Sequence, residues 1–285
     1  MSAPRSEFLR LRGLRFHVRR LGAADRPWLF VLHGWSDTAR TFEPMLAPLA
    51  EHWQIVVPDL RGFGHSQWSG DTYWFPDYVA DVDALVAHYC GSEPLRLVGH
   101  SMGAQIASLY AGLRPERVKR LALLDGLFMQ DMSMDSAAKR YRGWLDSLAR
   151  PPEVKRYASA EAFAAIIGRL YPRLSGPRAE WVSRRWSRPD AGGGVTVLAD
   201  PIHRMNTPLP YQLEHSRVIW REVRAPTLLI DGAQSPFVLA TPTDLRQSTL
   251  DCFADHRHEV VADAGHMLHL DAPETTAALL REFLA

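Results

Sequence analysis

Gly99-His100-Ser101-Met102-Gly103 is the stretch of this 285-residue chain best suited to chemistry. It follows a short apolar run (Leu95, Leu97, Val98) and leads into Ala104, Ile106, Ala107, Leu109, Tyr110 and Ala111, which read as a helix. A serine at the tip of a sharp strand-to-helix turn sits in strained backbone, its Oγ pushed clear of the sheet. Side chains two positions to either side would meet the strand and the helix, so glycine is wanted at both. With glycine and serine each near 7% of residues, about 0.1 chance matches to this pattern are expected in such a chain. A free hydroxyl is barely ionised at neutral pH, so a serine placed this way needs a base to become a nucleophile.

The elements that must position Ser101 can be read on either side of it. Phe8 to Leu21 alternates as two short strands turning at Leu11-Arg12-Gly13. Trp28 to Leu32 is a buried strand ending in His33-Gly34-Trp35-Ser36-Asp37, with a helix expected from about Ala39 to Ala50. Ile55 to Val57 is the next strand, closed by the glycine-punctuated loop Pro58 to Ser66. Tyr78, Val82, Leu85 and Val86 mark a helix before the Ser101 strand, and Val118 to Leu124 is a strand ending at Asp125-Gly126. The alternation stops near Phe128. It resumes with a strand at Pro226 to Asp231, a helix at Thr243 to Phe253, a strand at Glu259 to Val261 and a helix at Pro273 to Leu284. Strands alternating with helices imply a mostly parallel sheet, with ligands beyond the carboxyl ends of its strands. The reading is an α/β core from residues 1–127 and 224–285, with 128–223 inserted as a helical cap.

Composition narrows the function classes. A hydrophobic fraction of 46%, a charged fraction of 23% and a net charge of +1 describe an ordinary globule with no overall pull toward nucleic acid or membrane. No apolar run approaches the ~20 residues of a membrane span. Arg5, Glu7, Arg10, Arg12 and Arg15 interrupt the first twenty residues and leave no apolar h-region, so no leader is expected and the cytoplasm is the expected location. Cys90 and Cys252 have no metal-ligand spacing and read as reduced packing residues. His256 and His258 flank the expected last strand, and nothing near them completes a metal site. No metal or organic cofactor is expected.

Four features occur in order: His33-Gly34-Trp35 after one strand, the turn at Ser101, Asp125 after the next strand, and Ala264-Gly265-His266-Met267-Leu268-His269 near the end. Together with Pro58-Asp59-Leu60-Arg61-Gly62-Phe63-Gly64-His65-Ser66 they resemble the α/β-hydrolase fold, with an eight-stranded, mostly parallel sheet flanked by helices, and within it the serine-hydrolase-like branch. The resemblance covers nearly the whole chain outside the cap. It implies Ser101 as nucleophile and His266 as the base that takes its proton and returns it to the leaving group. It also implies that the backbone amides of Trp35 and Met102 receive the oxyanion.

The acid departs from the family's commoner layout, which places an aspartate in a Gly-x-x-Asp turn after the seventh strand. Here that run is Gly232-Ala233-Gln234-Ser235-Pro236, with Ser235 at the acid's place. Three alternatives stay open: Asp125, as haloalkane dehalogenases and some lipases place it; Asp231, at the end of the strand itself; or no functional acid. The bland reading of Asp125 is a turn-former before Gly126.

A serine nucleophile implies an acyl-enzyme, hence a small-molecule ester, thioester or amide substrate, with C–C bond hydrolysis also open. A non-catalytic ligand-binding protein is the alternative from another class. Trp35, His100, Trp74, Phe128 and His269 are the candidate pocket residues. The cap's aromatics (Tyr141, Trp144, Phe163, Tyr171, Trp181, Trp186, Tyr211, Trp220) form either its own small core or an apolar lining over Ser101. Between Asp131 and Arg188 twelve Lys or Arg face six acids, as solvated helix faces or as attraction for an anionic group such as a CoA phosphate.

Overall fold

The computed structural model describes residues 4–70 and 72–285. Two strands, β1 (Arg5–Leu11) and β2 (Leu14–Leu21), form an antiparallel hairpin whose two turn residues, Arg12 and Gly13, both have positive φ (47° and 81°). A two-residue hairpin loop needs that handedness to match strand twist. The sheet continues with β3 (Trp28–Leu32), β4 (Gln54–Pro58), β5 (Leu95–His100) and β6 (Val118–Leu124). After a long excursion come three short strands, β7 (Arg156–Tyr157), β8 (Ser187–Pro189) and β9 (Val195–Val197), and then β10 (Thr227–Gly232) and β11 (His256–Val261).

The main sheet has eight strands in the order β1-β2-β4-β3-β5-β6-β10-β11. From β4 to β11 all neighbours are parallel, while β2 runs antiparallel to both β1 and β4. The chain order reverses at β3, which sits between β4 and β5, so the crevice beyond β3 and β5 is the place where such sheets bind ligands.

Both faces of the sheet are covered. One carries α2 (Phe75–Cys90), α3 (Met102–Leu113) and α7 (Leu213–Trp220), whose Tyr78, Val82, Leu85, Ile106, Tyr110 and Trp220 pack on Phe30, Leu97 and Leu121. The other carries Phe42, Met45, Leu46 and Leu49 together with the last helix (Pro273–Leu284) against Leu29, Val31, Val98 and Ile230. The expected helix from Ala39 to Ala50 is broken into a 3₁₀ turn (Ala39–Phe42), one α turn α1 (Glu43–Leu46) and a second 3₁₀ turn (Ala47–Glu51). Pro44 and Pro48 supply no N–H for a continuous helical ladder. The last strand starts earlier than expected, so His256 and His258 lie within β11 rather than flanking it.

Between β6 and β10 the chain forms α4 (Ala137–Ala149), α5 (Ala160–Leu170) and α6 (Pro177–Trp186). It also forms a three-stranded antiparallel sheet, β7-β9-β8, so the segment is not the wholly helical cap expected from the sequence. Strands of two or three residues are too short to carry a period-two signal. Phe163, Ile167, Leu174, Val182, Trp186 and Val197 make a separate core here, closed below by Met267 and Leu270. Trp220 departs from the aromatic group: it packs in the main core and donates its indole N–H to Ser108 Oγ (2.8 Å). Short backbone bonds, Gly64 N–H to Leu198 O (2.8 Å) and Asp200 N–H to Gly62 O (2.8 Å), seat this segment on the loop after β4.

Candidate active site

Ser101 sits between β5 and α3 with φ 52° and ψ −119°, a left-handed conformation that only local packing can sustain in a non-glycine residue. The glycines on either side explain how it is sustained. A Cβ on Gly99 would lie 2.2 Å from Gly103 O, and one on Gly103 would lie 2.3 Å from Leu32 O. The turn closes only because neither side chain exists.

His266 follows β11 and reaches back across the sheet ends. Ser101 Oγ–H donates to its Nε2 (3.0 Å), and its Nδ1–H donates to Asp125 Oδ1 (2.7 Å). Asp125 leaves β6 with φ 45° and is fully buried. It also accepts the Gly232 amide on Oδ2 (2.9 Å) and the Ser235 hydroxyl on Oδ1 (2.7 Å). Burial pushes the Asp125 carboxyl above its ordinary value, and the His266, Gly232 and Ser235 bonds pull against that push. The structure thus brings Ser101, His266 and Asp125 into one hydrogen-bonded line. Asp231 is not part of it, because its carboxylate is turned to His258 Nε2 (2.8 Å) on the neighbouring strand.

The two amides of the expected oxyanion hole stand beside Ser101. Met102 opens α3, so its N–H has no intrahelical acceptor and lies at the positive end of the helix. The loop after β3 backs onto the turn: a Cβ on Gly34 would lie 3.0 Å from Ser101 Cβ. His33, fully buried, donates Nδ1–H to Gly34 O (2.7 Å) and accepts the Leu60 amide on Nε2 (2.8 Å). A trans peptide points its C=O and N–H in opposite directions, so fixing the Gly34 carbonyl fixes the direction of the Trp35 amide.

A cavity of about 140 Å³ adjoins this site. Trp35 and Trp74 line it, with Phe75, Met102, Trp144, Ile202 and Met205 among the residues of its apolar wall. The polar wall is Tyr73, Tyr78, His203, Asn206 and Thr207, and among the described residues no lining side chain carries a formal charge. His203 lies between the rings of Phe63 and Tyr73 (centroids 3.9 and 3.7 Å), where burial lowers its imidazole to about 3 and keeps it neutral. Sequence reading missed His203, since nothing around it in the chain distinguishes it from the other histidines.

Three expected pocket residues lie elsewhere. Phe128 lines a separate depression with Leu127, Leu229 and Leu250. His100 and His269 are buried beneath the turn, at 1% and 0% exposure, because His100 closes a strand whose last side chain points into the core. With Asp37 they form the one group of potential metal donors found among the described residues. None of the basic side chains between Asp131 and Arg188 lines the cavity, although Arg140 donates to Thr207 Oγ (2.9 Å) at its rim.

Comparison with known proteins decides the family. The family described as alpha/beta hydrolase fold matches residues 27–273. The chain belongs to it. This α/β hydrolase is 27% identical over 267 residues to the serine hydrolase-like protein of Danio rerio, covering 89% of this chain and 80% of that one. It is 28% identical over 254 residues to the 3-hydroxybutyrate-oligomer hydrolase of Cupriavidus necator, covering 84% and 82%. Among solved structures, the thioesterase domain from the curacin biosynthetic pathway superposes with a TM-score of 0.85 at 25% identity, covering 98% of this chain and all of that one. The α/β hydrolase is therefore an enzyme with hydrolase activity, acting on a small-molecule substrate. No helix among the described residues is long and apolar enough to cross a membrane.

Proposed function

We propose that this hydrolase cleaves a small or medium, uncharged and largely apolar carboxylic ester through an acyl-enzyme on Ser101. The observation that carries the reading is the continuous line from Ser101 Oγ through His266 to Asp125, at 3.0 and 2.7 Å. His266 Nε2 takes the serine proton as Oγ attacks the carbonyl, and Asp125 stabilises the imidazolium that forms. The amides of Trp35 and Met102 accept the oxyanion. His266 then returns the proton to the leaving alkoxide, and water repeats the sequence to release the acid.

Residues 128–223 act as a cap that supplies Trp144, His203 and Met205 to the cavity wall. That wall favours an uncharged acyl or alcohol group. Cys90 and Cys252 are free and buried, and burial pushes the Cys90 thiol up to about 12, which suits unreactive thiols in a reducing cytoplasm. A thioester substrate is the second reading, supported by the likeness to the curacin thioesterase domain and by Arg140 at the cavity rim. A panel of matched neutral esters, thioesters and amides, assayed with wild type and Ser101→Ala, tests both. The proposal expects ester turnover that vanishes in Ser101→Ala. Ester turnover that survives this substitution contradicts it.

A further inference from the structure

Beneath Ser101 runs a set of buried polar side chains that the reaction above does not use. Trp186, at the end of α6 in the cap, donates its indole N–H to Asp37 Oδ1 (2.6 Å). The same oxygen accepts the Thr38 amide (2.8 Å) and the Thr41 hydroxyl (2.7 Å). Asp37 Oδ2 lies 3.1 Å from His269 Nε2, a close polar contact set off the line of an ideal hydrogen bond. The His269 ring is stacked on Phe42 (centroids 4.0 Å, planes 2° apart) and faces the His100 ring at 4.7 Å. His100 Nε2–H donates to the backbone carbonyl of His266 (2.7 Å). Side chain by side chain, the cap is joined to the main chain of the residue that carries the base.

We propose that Trp186, Asp37, His269 and His100 are positioning residues, a column through which the seating of the cap fixes the backbone of His266 and so aims its imidazole at Ser101. The inference rests on the acyl-enzyme reading above. Apolar side chains would fill this space without the desolvation cost of an aspartate and two histidines, so their presence asks for a polar task. Burial alone would push the Asp37 carboxyl up, but His269, His33 and the Thr41 hydroxyl together prevail, and the group is held well below the ordinary carboxylate range. Burial and the neighbouring histidines hold the His100 imidazole well below its ordinary value. His100 is therefore neutral. Its single N–H goes to the His266 carbonyl, leaving Nδ1 without a partner. The two ends of the column thus have fixed donor directions, Trp186 toward Asp37 and His100 toward His266. A donor moved by an ångström at the far end is enough to lose attack geometry at Ser101.

The test is the rate at which a fluorophosphonate labels Ser101, measured with thermal unfolding for each variant. His100→Phe removes the donor and is expected to slow labelling by about tenfold to a hundredfold, with the unfolding transition still cooperative. His100→Gln keeps an N–H near the position of Nε2 and should label within about threefold of wild type. Trp186→Phe, at the edge of the column, should slow labelling by about fivefold, and the double variant Trp186→Phe/His100→Phe should be no slower than His100→Phe alone. Wild-type labelling by His100→Phe, or single-variant effects that simply multiply, would overturn the column. So would one equivalent of a transition metal in the isolated protein that is lost in Asp37→Asn, since the trio would then be a metal centre. A wild type that fails to label at Ser101 overturns the acyl-enzyme reading itself, and the column's role with it.

Discussion

Ser235 Oγ donates a 2.7 Å hydrogen bond to Asp125 Oδ1, the same oxygen that accepts from His266 Nδ1. Ser235 occupies the turn after β10 where the family's commoner layout has its acid, while Asp125 arrives from the neighbouring strand β6. The two positions converge on one point because β6 and β10 are paired, Leu124 opposite Ile230. A carboxylate from either turn would reach the imidazole. Here Ser235 donates instead to the carboxylate that Asp125 brings to that point.

That convergence makes the acid movable. Asp125→Asn should cut turnover by about 10³ to 10⁴, because the His266 tautomer and its orientation are lost. Adding Ser235→Asp to this variant should recover about tenfold or more, since the new carboxylate enters at the same point. Asp231→Asn should stay within a few-fold of wild type, its carboxylate being committed to His258. Steady-state turnover on one neutral ester ranks all three. A larger loss for Asp231→Asn than for Asp125→Asn would reverse the assignment.

His33→Phe should lower kcat by roughly 10 to 100-fold with little change in KM. The ring volume is kept, but the donor that pins the Gly34 carbonyl, and with it the Trp35 amide, is gone. An interaction realised only with the oxyanion belongs to kcat. A rise in KM with kcat intact would place His33 in ground-state binding instead.

The cavity should bind without regard to pH. Burial lowers His203 to about 3 and raises the Tyr73 and Tyr78 phenols above their ordinary value, so all three are neutral between about pH 5 and about pH 9. KM for a neutral ester should therefore be flat over that range, and the pH dependence should fall on kcat. A matched substrate with a free carboxylate at the cavity end should show a KM about tenfold higher or more, having no cation to meet. A KM that climbs for the neutral ester as the pH is lowered would mean that His203 titrates in this range.

Asp59 should set part of the acid limit of the fold. Its buried carboxylate accepts the Ala39 amide (2.7 Å), the His65 amide (2.8 Å) and His17 Nδ1–H (2.7 Å). Burial pushes its carboxyl up, but these partners prevail and hold it below its ordinary value. A depressed carboxylate contributes stability that is present above the unfolded value and lost as pH falls through the folded one. Stability should thus decline below about pH 4. Asp59→Asn should cost about 3 to 5 kcal/mol at neutral pH and flatten that decline. Denaturant unfolding at a series of pH values reads both.

Much of this was legible in the sequence because it is local. Gly99, Ser101 and Gly103 specify their turn by short-range sterics alone, and apolar runs such as Trp28 to Leu32 need no partner to be read as strands. What required the third dimension was adjacency. The sequence points to Ser235 as a missing acid and to Asp125 and Asp231 as substitutes. The choice between their contacts depends on which strand pairs with which and on which side of β10 each carboxylate emerges. His100 and His269 failed as pocket residues for a related reason. They sit beside the reacting residues in the chain, but a tight turn sends successive side chains in opposite directions, and theirs went into the core. His203 was invisible because its role comes from being sandwiched between rings from two distant loops.

Intact mass after fluorophosphonate treatment, with peptide mapping, reads whether Ser101 is an activated nucleophile. One stoichiometric adduct on Ser101 is expected, absent in Ser101→Ala and strongly slowed in His266→Ala. No adduct on cooperatively folded protein, or an adduct on another residue, would contradict it.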